Sequence, residues 1–442
     1  MTHERTASDR PEIAVALLTK GYDFGRTVWA GASDAVRAAR IRMLGGDAIM
    51  VRGSEGVAAF YDTERIQRHG AMPGFIQGTL FGADSVHTLD GPAHLHRKAE
   101  FLGVTYDDGE VARLVPHLER EWRDELDAWI EGGDRSAYDA AAGAIGRAMM
   151  RWAGMPGTRD AKTRWALRQA QIVDGFGVPY SPEYLLSKLN RWWSDRHASE
   201  LIEAVRAGTL EAEQGTALRV WADHRDERGE LLTATIAGRE LQNSFRPAIA
   251  VARFVAFAAK ALHDRPEWRA RIAAETEQRG ELVGGPLATA FAQEIRRTAP
   301  FVPMLPARAI APVEVDGVRA GVGDRVLLDV HGTNLDPREW ERADEFDPER
   351  FVGVDDYESI AAFVPQGGSD VPTTHRCPGE KIAIHALAAG IAALSDPRVR
   401  ISGAGLDVNR RRFPTKPASG GVVCPVTGEG EGRRASACPV PH

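Results

Sequence analysis

Phe363-Val-Pro-Gln-Gly-Gly-Ser-Asp-Val-Pro-Thr-Thr-His-Arg-Cys-Pro-Gly-Glu380 is the stretch that decides how this chain is read. A glycine-rich, irregular run delivers Cys377 almost directly into a helix-like segment, Lys381 to Leu394. A cysteine just before a helix N-terminus, beside His375 and Arg376, stands where positive potential lowers a thiol pKa. The thiolate can ligate a soft metal or haem iron, and on haem it favours O–O bond cleavage. The commoner fate of a lone cysteine is to act as a buried small hydrophobe. The surrounding loop argues against that fate here.

Two more segments of the C-terminal third belong with this loop. Glu294-Ile-Arg-Arg297 puts a carboxylate and a guanidinium at i and i+3 on one helix face, and Phe346-Asp-Pro-Glu-Arg-Phe351 follows it. Such a pair is common on solvated helices and means little alone. Taken in order with Phe363, Gly367, Cys377 and Gly379, the three segments resemble the cytochrome P-450 superfamily. The resemblance implies a mainly α fold with a small β portion, and haem b between a long central helix and the Cys377 loop. It implies Cys377 as the axial thiolate, and Glu294, Arg297 and Arg350 as a structural triad that holds the loop scaffold. The long spacing from Phe363 to Cys377 is similar to the bacterial fatty-acid peroxygenases, which use hydrogen peroxide as co-substrate. Ser369 and Thr374 depart from that pattern, where glycine is expected, and restrict the loop backbone.

Composition sets the bounds. The 442 residues show no low-complexity divide, so one catalytic unit is expected over residues 1–423, with 424–442 a flexible tail around the Cys-Pro-Val repeat at Cys424 and Cys438. A formal charge of −7 gives no reason to expect nucleic acid as a partner. Three cysteines are too few for a disulfide framework, and Met1–Arg10 carries no apolar signal segment, so a cytoplasmic location is expected. The most apolar run, Pro247 to Leu262, contains Arg253 and Lys260 and is too short to cross a bilayer; it reads as a buried helix. Apolar spacings of three and four make residues 107–264 helical, with Val111–Glu131 and Ala137–Trp152 the clearest examples, and Glu267–Arg279 and Pro286–Arg297 continue the pattern. Alternation across Ala299–Val330 reads as short strands about a glycine turn. Asp47–Phe60, Arg398–Val408 and Gly420–Val423 also look strand-like.

An oxygen-using member of the superfamily carries an acid–alcohol pair in its central helix. Here that place holds Asn243-Ser-Phe-Arg246-Pro247. Proline kinks a helix by withholding a donor from the carbonyl four residues back, and an arginine opening so apolar a helix is costly to bury without an anion. An arbitrary arginine would pair with a protein carboxylate or face solvent. Arg-Pro at this point, however, is the mark of the peroxygenases, which implies that Arg246 binds the substrate carboxylate, and the bound carboxylate then serves as acid–base group for peroxide.

The N-terminal part supplies Leu80-Phe81-Gly82, with His87 six residues after Phe81. His87, His94 and His96 lack a third ligand at zinc spacing. The resemblance places His87 over the haem, where histidine goes with decarboxylation to a terminal alkene and glutamine with hydroxylation, and makes Phe81 its packing partner. It also implies that His94, Lys98 and Arg68 meet the haem propionates. Pro300–Ala307 and residues near Ile172–Phe176 would line the channel. The function expected is peroxide-dependent oxidation of medium- to long-chain fatty acids with no redox partner required. A reductase-fed monooxygenase and a non-catalytic haem or fatty-acid binder are the rivals.

Overall fold

The computed structural model describes residues 12–132, 135–179 and 181–426. Helices dominate, and each long one has a visible cause. Ser136 accepts from Asp139 N to cap Ala137–Trp152, a helix so rich in alanine and glycine that nearly every residue is buried. Thr158, Ser181 and Thr233 cap Arg159–Gly175, Pro182–Arg206 and Ala234–Ala250 in the same way. Trp122, Trp129, Trp152 and Trp221 lie fully buried among these helices.

The small β portion is a five-stranded sheet whose order is Ala38–Met43, Gly46–Val51, Arg325–Asp329, Met304–Ala309 and Ile66–Gln67. Gly46–Val51 pairs with Arg325–Asp329 in parallel, Val51 opposite Leu328. That one pairing ties the N-terminal hairpin to a strand nearly three hundred residues on.

Several expectations need correction. Only Gly46–Val51 of the segment 47–60 is a strand; Gly53–Phe60 is a helix. Arg398–Val408 yields only the strand Val399–Ile401. Of the expected tail, residues 424 and 425 lie in the strand Val422–Pro425, where Cys424 is buried. Residues 427–442, Cys438 included, lie outside the described residues. Arg246 does not open its helix either: it sits in the fourth turn of Ala234–Ala250, and the break falls at Val251, four residues after Pro247.

The Glu294 triad forms the frame under the Cys377 loop. Glu294 accepts two bonds from Arg297, both 2.7 Å, and Arg350 Nε stands 3.8 Å from the same carboxylate. Arg297 donates onward to the Asn334, Ala343 and Glu345 carbonyls. Asn334 Oδ1 accepts from Val364 N, at the start of the loop. The frame therefore connects directly to the residues that aim Cys377. No helix among the described residues is long and apolar enough to cross a membrane.

Candidate active site

One cavity gathers the sequence candidates. Its walls include Phe81, His87, His94, Lys98, Arg246, Pro247 and Cys377, around a volume of about 280 Å³. Arg68 is the exception. It faces an adjoining cavity with Asp90, His94 and His375, lies over the Phe60 ring at 3.9 Å, and donates to the Pro306 carbonyl.

Cys377 is the one free cysteine among the described residues. Its amide donates to Gln366 O at 3.0 Å, and Gln366 Nε2 lies 3.8 Å from its sulfur, so the loop closes on itself. The helix Glu380–Ser395 starts directly beyond it. The expected acidic thiol is not what this setting gives: burial first, and Glu380 second, push the Cys377 thiol up, against lowering by Gly379 N–H, Lys98 and Arg296. Arg376 adds little because it is committed elsewhere, to Glu380 and to the Glu358 and Ser369 carbonyls.

The two departures from the loop pattern resolve differently. Ser369 adopts φ 64°, a left-handed conformation that glycine takes without strain. Thr374 has ordinary backbone, and its buried hydroxyl accepts from Arg376 N and donates to Asp370 O. Gly367, by contrast, is required: φ is 97°, and a Cβ there would meet Tyr61 Oη at 2.7 Å. Gly367→Ala is expected to lower stability by about 1–3 kcal/mol, seen as an earlier denaturant midpoint. An unchanged midpoint would show that the loop relaxes freely.

Lys98 braces the loop: its ammonium donates to Thr374 O at 3.0 Å and to Arg376 O, and burial brings its pKa down to about 8. His94 stacks on His375, ring centroids 3.8 Å apart, and His375 Nε2 lies 3.4 Å from Asp90, which also accepts from the backbone amides of Arg68 and His69. His94, His375, Lys98 and Arg68 thus form a cationic or hydrogen-bonding rim spanning the two cavities. The sequence reading did not single out His375 for this rim, although its place two residues before Cys377 offered a cue.

Away from that rim stand His87 and Arg246. His87 stacks on Phe81 with centroids 4.2 Å apart and an interplanar angle of 28°, and its Nδ1 is buried without a partner. Burial, reinforced by the positive charges of His375 and Arg246, pushes its pKa down to about 3. His87 is therefore a neutral imidazole at ordinary pH. It can donate a hydrogen bond, but it is not the readily titrating proton donor its residue type suggested. Arg246 is 2% exposed. Its Nε donates to Gln169 Oε1 at 2.8 Å, and its Nη1 donates to Leu80 O and to Asn243 Oδ1; Nη2 has no partner. The two carboxylates near it are taken, Glu240 by Arg97 and Asp195 by Arg191 and Arg239. Sequence reading missed Gln169, Asn243 and Glu240, and only Asn243, within the quoted Asn243–Pro247 segment, carried any signal.

Much of the remaining wall is apolar, with Val173, Phe176, Phe301, Val302 and Leu305, while Thr105 and Ser244 add polar lining. Pro300–Ala307 contributes as expected. Of the Ile172–Phe176 segment, Val173 and Phe176 reach the cavity, and Ile172 does not line it.

Known proteins match this arrangement over nearly the whole chain. Cytochrome P450SP alpha (CYP152B1) superposes with a TM-score of 0.84 at 35% identity, covering 94% of this chain and 98% of its own. The chain belongs to the CYP152 family of cytochromes P-450. Ligand-free OleT, another P-450, superposes with a TM-score of 0.85 at 28% identity, over 95% of this chain and 100% of its own. The cytochrome P-450 family model matches residues 277–394, which hold the triad helix and the Cys377 loop. Among curated proteins, cytochrome P-450 137 of Mycobacterium tuberculosis is 23% identical over 330 residues, 70% of this chain, and the chain spans 65% of that relative's length. P450SP alpha is known in complex with (R)-ibuprophen, and an OleT variant in complex with arachidonic acid.

Proposed function

We propose that this P-450 oxidises fatty acids with hydrogen peroxide, giving hydroxy acids, terminal alkenes or both, at a haem b ligated by Cys377. The observation that carries the reading is Arg246. It is a buried guanidinium with no ionic partner among the described residues and a free Nη2, and it lines a cavity together with the apolar side chains of Val173, Phe176, Phe301, Val302 and Leu305. A carboxylic acid with an alkyl chain is the ligand that satisfies both features. The acids bound by P450SP alpha and OleT, (R)-ibuprophen and arachidonic acid, are of this class.

Haem suits the residues present. Cys377 is a free cysteine at the cavity wall, Gly379 beside it carries no side chain, and His94, His375, Lys98 and Arg68 would donate to the propionates. When bound, a thiolate-ligated haem supplies cleavage of the peroxide O–O bond and oxidising power toward the substrate. The chain does the rest. Arg246 grips the carboxylate with charge-assisted bonds from its planar fork. The held carboxylate then accepts and returns the peroxide proton. The Phe81 ring holds His87 at the cavity wall, where its imidazole would pack beside the first carbons of the substrate. Val173, Phe176 and Phe301 exclude water from the alkyl chain.

Purified haem protein given a long-chain saturated fatty acid and peroxide, with no reductase, is expected to form hydroxy acid or alkene. Turnover that needs a ferredoxin or flavoprotein would instead support the electron-fed monooxygenase, and tight binding with no product would support a carrier. His87→Gln is expected to move the product ratio toward hydroxy acid. Because His87 stays neutral far below pH 6, the parent's ratio should also be flat between about pH 6 and pH 8. An unchanged ratio in the variant would remove His87 from the partitioning step.

A further inference from the structure

Arg246 can anchor a carboxylate only if something holds its fork without neutralising it. The structure holds it with amides. Gln242 Nε2 donates to Asp195 Oδ1 at 3.0 Å and to Gly238 O at 3.2 Å, both of which can only accept. That fixes the Gln242 side chain, leaving its Oε1 to accept from Gln169 Nε2 at 3.1 Å. Gln169 Oε1 must then face Arg246, where it accepts from Nε at 2.8 Å. Each amide is oriented by the next, and the carboxylate of Asp195 sets the direction of the whole chain. Gln169 and Gln242 are both fully buried, so water cannot substitute for either bond.

Asp195 does more than end this chain. It also pairs with Arg191 at 2.7 Å and with Arg239 at 3.1 Å. Arg191 donates to the carbonyls of Leu80 and Phe81, and Arg246 donates to the Leu80 carbonyl as well. The same carboxylate therefore fixes the guanidinium from one side and the Phe81 segment that carries the His87 stacking partner from the other. Gly82 permits the close approach, since a Cβ there would lie 2.5 Å from Arg191 Nη2.

We infer that Gln169 is a positioning residue for substrate recognition: through the Gln169–Gln242–Asp195 relay it aims the Arg246 fork into the cavity while leaving its charge for the substrate carboxylate. The inference rests on the proposed fatty-acid reading of that site. A glutamate at position 169 would have the same shape but would act as an internal carboxylate competing for the guanidinium. An apolar residue of similar length would leave Nε without an acceptor and the fork free to turn.

The test uses the full-length haem protein and compares a saturated fatty acid with the primary alcohol of the same chain length, by Soret shift and by calorimetry. Gln169→Glu is expected to weaken acid binding about ten- to a hundredfold while alcohol affinity stays within about twofold. Turnover should show the loss mainly in KM. Gln169→Met adds no charge and is expected to weaken the acid by a smaller factor, again sparing the alcohol; it serves if Gln169→Glu fails to fold. A purely structural role would move both ligands together, so equal losses for acid and alcohol, or no loss, overturn the relay. Arg246→Ala separates the two levels of argument. If it fails to weaken acid relative to alcohol, the carboxylate anchor itself is wrong; if it does so and the Gln169 variants do not, only the relay is wrong.

Discussion

Arg246→Ala should cut peroxide-driven turnover of fatty acids by at least about a hundredfold, with the thiolate signature of the ferrous–CO spectrum retained. Both halves of that result follow from where the residue sits. Arg246 bonds to Gln169, Asn243 and the Leu80 carbonyl, and has no hydrogen bond to the Cys377 loop, so its loss leaves the haem ligand in place. What disappears is the means of holding the carboxylate, and with it the group that handles the peroxide proton. Each charge-assisted bond contributes about 1.5–3 kcal/mol, and orientation of the reacting groups adds several kcal/mol more. Arg246→Lys keeps the charge but loses the planar fork and should fall between the parent and Ala. Product yield at saturating peroxide decides the matter. Near-parent activity in Arg246→Ala would mean that the protein, not the substrate, provides the acid–base group.

What sequence could and could not reveal divides along physical lines. Cys377 and Arg246-Pro247 stand out in the sequence because haem ligation and carboxylate binding, the roles proposed for them, each demand one residue type at one point of the chain. The helix Ala137–Trp152 was legible to the residue because its spacing is regular and Ser136 caps it. The partners of those functional groups were not. Gln169 lies 77 residues from Arg246 in sequence and is brought to it only by packing of Arg159–Gly175 against Ala234–Ala250. The acidity of Cys377 was misjudged because neighbours in sequence were counted and neighbours in space were not: Arg376 turns away to Glu380, whose carboxylate then opposes the thiolate. Gly53–Phe60 was read as strand around its glycines. Yet Gly53, at φ 72°, opens a helix there, packed against Arg37 and Asp336, residues far apart in the chain.

Glu380 also sets the largest stability effect expected in this protein. Its carboxylate accepts from Arg376 Nε at 2.9 Å and from Arg296, and all three side chains are almost completely buried. Arg296 extends the connection to Gln366, whose carbonyl accepts the Cys377 amide. Glu380→Ala leaves two buried guanidiniums facing each other without an anion, a change that costs about 3–5 kcal/mol. That is a large part of the 5–15 kcal/mol, roughly, by which folded proteins are stable. A strongly lowered denaturant midpoint and weakened haem retention are therefore expected. Glu380→Gln keeps one acceptor and should lose less. The same substitutions carry a second, opposite signature. Because Glu380 pushes the Cys377 thiol up, removing its charge should make that thiol more acidic in the haem-free protein, as thiol titration would show. General damage to the fold gives no reason to expect that sign. Stability within about 0.5 kcal/mol of the parent would show that the loop is held without Glu380, by the Glu294 frame and Lys98, and an unmoved thiol would remove Glu380 from the electrostatics of Cys377.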